Sequence, residues 1–267
     1  MSKHTITFAA VCHIGKVREK NQDNLWCNNV YLDSENNGLV ESLAGKVNAV
    51  SNPAFCIFDG MGGEQQGEMA AYIAAKGFSE NYNNFRKSDK RKASIPDFLN
   101  ETCLELNSKI CTYQKESLLR QMGTTAAILM FEKDAIYACN LGDSRIYRFS
   151  ESKLTKISVD HIHETSPGKK SPLTQCLGVP ESEFTIEPHI AKKLFADKER
   201  YILCSDGLSD MVSDDEIQSV LNEGMNVEDT AENLLNKALE SGGVDNITII
   251  ICETQINRRF FSRVKST

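Results

Sequence analysis

The chain has 267 residues, 40% of them hydrophobic, enough for the core of one large domain, and residues 1–10 interleave Lys3, His4 and Thr5 with apolar pieces too short for a signal peptide or membrane span. One domain in the cytoplasm is expected, and 37 Asp plus Glu against 30 Lys plus Arg exclude a general attraction to nucleic acid or anionic membranes. Nine cysteines without a Cys-x-x-Cys pair and five histidines without a ligand pair at helical spacing argue against zinc and leave the cysteines as small buried hydrophobes.

Residues 5–11 alternate and predict a first strand, and Gly15 marks a turn before the polar run Arg18-Glu19-Lys20-Asn21-Gln22-Asp23, which taken alone reads as a solvated loop. A second strand is predicted over 25–32. Residues 33–53 form an insertion rich in Asn, Ser and Gly, in which Leu39, Val40, Leu43 and Val47 have helical spacing and predict one short helix. The apolar run 55–58 is a buried strand that stops on Asp59 and a glycine turn. Over 64–85, Met69, Ala70, Ile73, Ala74 and Phe78 share one side of an amphipathic helix, weakened but not ended by Gly67 and Gly77. A solvated connection over 86–92 leads to a second long helix over 96–119.

Three short runs, 123–131, 135–141 and 145–149, predict an antiparallel meander. Residues 157–173 turn polar and irregular, an exposed loop, and strands follow over 184–188 and 201–204. Ser213-x-x-Glu216 has the form of a capping box and opens a helix to about Asn222, another spans 226–240, and a last strand covers 247–252. Residues 1–255 are expected to be a single domain, with 256–267 a basic, frayed tail. Helix pairs between strand sets, in place of strict βαβ units, favour antiparallel sheets packed on each other with helices outside, an α+β fold.

An Asp-Gly pair usually just begins a turn, yet here the pattern repeats: Asp59, Asp206 and Asp245 each stand at the end of an apolar strand, which points to one shared site. Carboxylate oxygens without His or Cys select Mg²⁺ or Mn²⁺, and two such ions roughly 3.5 to 4 Å apart are an arrangement for phosphate-ester chemistry. Asp59 can bridge two ions, Gly60 can bring its bare carbonyl to one of them, and Asp206 and Asp245 complete the opposite side. Metal-assisted hydrolysis of a phosphate ester by activated water follows, without a covalent phosphoenzyme.

Seven motifs in order, Arg18-x-x-Asn21-Gln22-Asp23, Asp59-Gly60-Met61-Gly62-Gly63, Gly123-Thr124-Thr125, Gly142-Asp143-Ser144-Arg145, Asp160-His161, Ser205-Asp206-Gly207-Leu208 and Asp245-Asn246, resemble the metal-dependent Ser/Thr protein phosphatases (PPM, or type 2C), in particular the compact bacterial members. The resemblance implies a four-layer αββα sandwich with two central antiparallel β-sheets and a metal cleft at one end. It implies Asp59 as the bridging ligand and, in catalysis, Asp23 and Arg18 beside it. Gly60 would be a carbonyl ligand, Asp206 and Asp245 ligands of the second ion, and Asp143 a holder, with Asp206, of a third. Asp23 and Gln22 would hold water at the ions, and Arg18 would clamp the substrate phosphate with its planar fork of donors. Asn246, Thr124 and Ser144 would support the acids. Two or three Mg²⁺ or Mn²⁺ ions, phosphoprotein substrates, a cognate Ser/Thr kinase and a monomeric state are implied with them.

The chain also departs from the family pattern. Many members carry Glu where this chain has Gln22, some carry His where Met61 stands, and many bacterial members carry His at the position of Glu64. The segment 161–173 matches a flap beside the cleft and is short. The competing expectation is an inactive phosphatase fold that binds phosphoproteins as a regulator, which a missing ligand would favour; Asp59, Asp206 and Asp245 are all present.

Overall fold

Period-two alternation sorts the strand residues into separate cores in a computed structural model, which describes residues 3–62, 66–87, 94–119, 121–163 and 172–257. The chain runs β1 (Lys3–His13), β2 (Asp23–Cys27), β3 (Leu43–Asn48), β4 (Ala54–Met61), α1 (Gly67–Lys87), α2 (Ile95–Glu116), β5 (Gly123–Thr124), β6 (Ala126–Glu132), β7 (Ala135–Leu141) and β8 (Arg145–Ser150). It continues with β9 (Lys153–Lys156), β10 (His189–Leu194), β11 (Arg200–Cys204), α3 (Asp206–Ser209), α4 (Asp214–Asn222), α5 (Val227–Glu240) and β12 (Ile247–Asn257). One antiparallel sheet has the order β3-β1-β12-β11-β8-β9, and the other β10-β7-β6-β4-β2 with β5 beside β4.

On β1, Phe8, Ala10 and Cys12 enter the core between the sheets, while Ala9 and Val11 enter the core under α4 and α5. On β4, Phe55 and Ile57 face the same inter-sheet core, while Cys56 and Phe58 pack under α1 and α2. The edge-on ring contact of Phe131 with Tyr201 and the tilted contact of Phe8 with Phe55 tie one sheet to the other. The result is the four-layer αββα sandwich. Gly77 of α1 lies where a Cβ would press on the Leu106 side chain, so the small residue lets α1 and α2 approach. Ser213 and Glu216 form the expected capping box, and Asn226 caps α5.

Several local expectations give way. The insertion contains no helix of the expected kind: residues 43–48 form edge strand β3 against β1, followed by a single 3-10 turn over Ala49–Ser51. Leu43 and Val47 are four apart, a spacing that shares a face in a strand as well as in a helix, and Gly45 between them lies opposite Phe8 and leaves room for its ring. The expected meander is broken, because β6 and β7 form a hairpin in one sheet whereas β8 crosses to the other at Gly142, whose φ of +92° a glycine adopts readily.

The strand expected over 184–188 lies at 189–194; Phe184 and Ile186 instead cover the core under α1 and α2. Strand β2 ends at Cys27, where Asn28 and Asn29 take left-handed turn conformations. Strand β12 reaches Asn257, two residues into the expected tail. Glu64, most of the flap (164–171) and the rest of the tail (258–267) lie outside the described residues. All nine cysteines are free, and Cys111 and Cys176 alone among them are not fully buried.

Candidate metal centre

Strand parity carries two acids to one point. Phe55 and Ile57 face the inter-sheet core, so Asp59 follows on the same face at the end of β4; Leu25 and Cys27 face it from β2, so Asp23 does too. The two acids are register partners. The Gly60 N–H donates to the Gln22 carbonyl at 3.0 Å just beyond them, which makes theirs a non-hydrogen-bonded pair, the kind whose side chains stand closer. Two carboxylates so placed repel each other.

From the opposite sheet, Leu203 and Ile250 set the parity that brings Ser205 and Thr248 inward. Both hydroxyls donate to Asp23 Oδ2 at 2.7 Å. Asp23 is 2% exposed, and its Oδ1 has no hydrogen-bond partner among the described residues. Burial pushes the Asp23 carboxyl up to about 7; the two hydroxyls oppose this, and the charges of Asp206 and Asp245 add to it. A buried carboxylate oxygen without a donor, facing a second carboxylate, is stabilised by a cation or by water that a cation polarises. The donor set thus fits a hard divalent ion.

Asp59 is held by its backbone. Its N–H donates to Thr125 Oγ1 at 3.0 Å, and its carbonyl accepts from Thr124 Oγ1 and from the Thr125 N–H, both at 2.9 Å. The Thr125 and Ser144 hydroxyls lie 2.7 Å apart. Packing requires a glycine at Gly60, since a Cβ there would stand 2.6 Å from the Gln22 carbonyl oxygen and nearer still to that of Gly67.

Asp206, 6% exposed, is the first residue of α3, directly after β11. Asp245 precedes β12. Beside it, Asn246 Oδ1 accepts from the Gln22 N–H at 2.8 Å, while Nδ2 donates to the Ile14 and Lys20 carbonyls at 2.8 and 2.9 Å, so one amide fastens the Arg18 loop to the start of β12. Arg18 Nη2 lies 2.6 Å from Asp245 Oδ2 with the Arg18 side chain about half exposed. That hydrogen bond, with smaller contributions from the charges of Asp245, Asp206 and Asp59, raises the guanidinium's pKa against the opposing effect of burial. Among the described residues, no three acidic, His or Cys side chains converge tightly enough to enclose an ion; Asp245 is turned onto Arg18.

Gln22 reaches towards α1. Its Nε2 donates to Glu68 Oε2 at 3.0 Å, on the first turn of α1, and Glu68 Oε1 takes Lys20 Nζ at 2.7 Å. Burial would raise the Glu68 carboxyl, but these hydrogen bonds hold it below its ordinary value. Glu68 was not anticipated, and the sequence marks it only as an acid at a helix start. The roles of Ser205 and Thr248 were also missed, though counting two positions on from Leu203 and two back from Ile250 points to both.

Asp143 sits half-buried at the crossing from β7 to β8, and its charge contributes, after burial and Cys111, to pushing the Cys176 thiol up to about 11. The Gly142 N–H donates to His161 Nδ1 at 3.2 Å and the His161 N–H to the Gly142 carbonyl at 3.0 Å, which steadies that turn. Asp160 pairs with Arg145 and Lys156, so Arg145 and Asp160, from two of the motifs, meet in one ion pair.

An αββα sandwich whose acids gather at one end of the inter-sheet core defines a class of phosphoprotein phosphatases, and comparison with known proteins agrees. The chain is similar to the "Serine/threonine phosphatase stp" of Listeria monocytogenes (serotype 4b, strain F2365), 26% identical over 92% of this chain and 94% of that one. It is 28% identical to the "Protein phosphatase PhpP" of Streptococcus pneumoniae (serotype 2) over 77% of this chain and 87% of that one. Among solved structures, the catalytic domain of the serine threonine protein phosphatase PstP in complex with two manganese ions superposes with a TM-score of 0.75 at 25% identity, covering 94% of this chain and 99% of that one. The family model described as Protein phosphatase 2C matches residues 43–241, well over half of the sequence, and the chain belongs to that family.

Proposed function

We propose that this chain hydrolyses phosphoserine and phosphothreonine in proteins, with Mg²⁺ or Mn²⁺ as cofactor. The observation that carries the reading is the buried, unpartnered Asp23 Oδ1, on a carboxylate that stands opposite Asp59 in register and within electrostatic reach of Asp206 and Asp245. Asp59, the Gly60 carbonyl, Asp206 and Asp245 would hold two ions, and Asp143 with Asp206 a third. When bound, the ions supply charge neutralisation and acidify water near neutral pH. Asp23 would orient a water through Oδ1, its other oxygen being fixed by Ser205 and Thr248. Arg18, solvent-accessible and held by a single acid, would exchange Asp245 for two phosphate oxygens.

Residues 1–255 would act as one catalytic domain of a monomer, in the cytoplasm, opposite a Ser/Thr kinase. No described helix is long and apolar enough to cross a membrane, which accords with that placement. The test is turnover of a phosphothreonine peptide. It should require added Mn²⁺ or Mg²⁺, stop on chelation, and fall by orders of magnitude in Asp59→Asn and Asp206→Asn. Turnover that survives complete removal of divalent ions, or that either variant retains at saturating metal, refutes the reading.

A further inference from the structure

Residues 33–53 deliver one side chain to the loop that carries Arg18 and Asp23. Gly38 (φ +99°) lies against the end of β1, bridged to His13, and the Leu39 N–H donates to the Cys12 carbonyl at 2.8 Å. A Cβ on Gly38 would stand on that same carbonyl, so the close approach needs glycine. This docking presents Asn36. Its Nδ2 donates to the Asp33 carbonyl at 2.7 Å, and its Oδ1 accepts from the Gly38 N–H at 2.9 Å and from Asn21 Nδ2 at 2.7 Å. Asn21 is 2% exposed and its Oδ1 accepts the Asp23 N–H at 3.2 Å.

A primary amide has one accepting end and one donating end. With Asn36 Oδ1 on Nδ2, the Asn21 oxygen faces the Asp23 N–H; the flipped amide would set oxygen against oxygen and N–H against N–H. Nothing on Asn21 itself chooses between these orientations as firmly, since its other neighbour is the weakly polar Cys12 Sγ at 3.3 Å. The Asp23–Asp59 pair, being of the non-hydrogen-bonded kind, leaves the Asp23 N–H dependent on Asn21.

We propose that Asn36 is a positioning residue of the phosphatase site: it orients the Asn21 amide and, through it, the backbone from which Asp23 projects. The proposal rests on the reading of Asp23 as a site acid, and one arm of its test is independent of that reading. Three variants decide it: Asn36→Ala removes the acceptor, Asn36→Asp keeps it, and Ser42→Ala releases the same segment from Glu228 without touching Asn21.

In the chelated protein, hydrogen exchange at the Asp23 amide should speed up about tenfold or more in Asn36→Ala, stay as in wild type in Ser42→Ala, and return most of the way in Asn36→Asp. With Mn²⁺ and a phosphothreonine peptide, Asn36→Ala should lower kcat about tenfold with KM within about twofold, and Asn36→Asp should recover most of that. Unchanged exchange in Asn36→Ala, an equal effect from Ser42→Ala, or no recovery in Asn36→Asp overturns the proposal. If the wild type itself hydrolyses nothing, the phosphatase reading fails while the exchange measurement still decides the role of Asn36.

Discussion

Asp23→Asn should stabilise the metal-free protein at neutral pH while impairing it as an enzyme. Asp23 is held at about 7 by burial, against an ordinary carboxylate value of 3.8. Between those values the folded protein keeps a proton that the unfolded chain has released, so wild-type stability falls as pH rises through the window and is flat on either side. Across the whole window the loss approaches about 4 kcal/mol, and between about pH 5 and about pH 7.5 it is roughly 2 kcal/mol.

Asparagine cannot ionise, and its Oδ1 can still accept from Ser205 and Thr248. Its Nδ2 then replaces the unpartnered oxygen as a buried donor, at a cost of about 1–3 kcal/mol. Near neutral pH the variant should gain on the order of 1–2 kcal/mol, and near pH 5 the gain should vanish or reverse. Urea denaturation in chelator at the two pH values, wild type against variant, reads this group together with its charge coupling to Asp206 and Asp245, all other titrations being shared. Equal pH slopes for the two proteins would refute the burial argument. With Mn²⁺ restored, the variant should lose at least about tenfold in kcat, because an amide nitrogen there no longer accepts from water.

Arg18→Ala should raise KM for a phosphothreonine peptide by about tenfold, roughly 1.4 kcal/mol, with Lys restoring only part; the half-exposed side chain limits the effect, and identical kinetics in all three proteins would remove Arg18 from the site. Gly60→Ala should destabilise by about 3 kcal/mol or more, measured by denaturation, because its Cβ meets backbone that cannot move aside; a loss under about 1 kcal/mol would show that the β4–α1 junction relaxes. Asp143→Ala should leave two tight ions in a calorimetric titration and reduce kcat at least tenfold, about 1.4 kcal/mol on the barrier; two tight ions with full kcat would make Asp143 a turn residue only.

The strands that end on acids were legible because their signal is local: an apolar run over 55–58 or 247–252 must be buried, and a carboxylate at its end must lie at the rim of the core. The capping box at Ser213 and the helix over Val227–Glu240 were legible for the same reason, being written within one or two turns of chain. The insertion was misread because Leu43 and Val47 satisfy both periods, and pairing with β1, far away in sequence, selects the strand. The bond from Gln22 to Glu68 was not legible because Glu68 arrives from a helix 46 residues on.

Sequence alone therefore determined the family and the two-sheet architecture and named four acids as candidates, since each rests on composition, periodicity or motif. Tertiary structure decided what those acids experience. That Asp23 stands directly opposite Asp59 depends on the register of β2 on β4, and its fixed and unpartnered oxygens depend on Ser205 and Thr248 arriving from the other sheet. Register and sheet-to-sheet packing are sums over many distant contacts, so no window along the chain contains them.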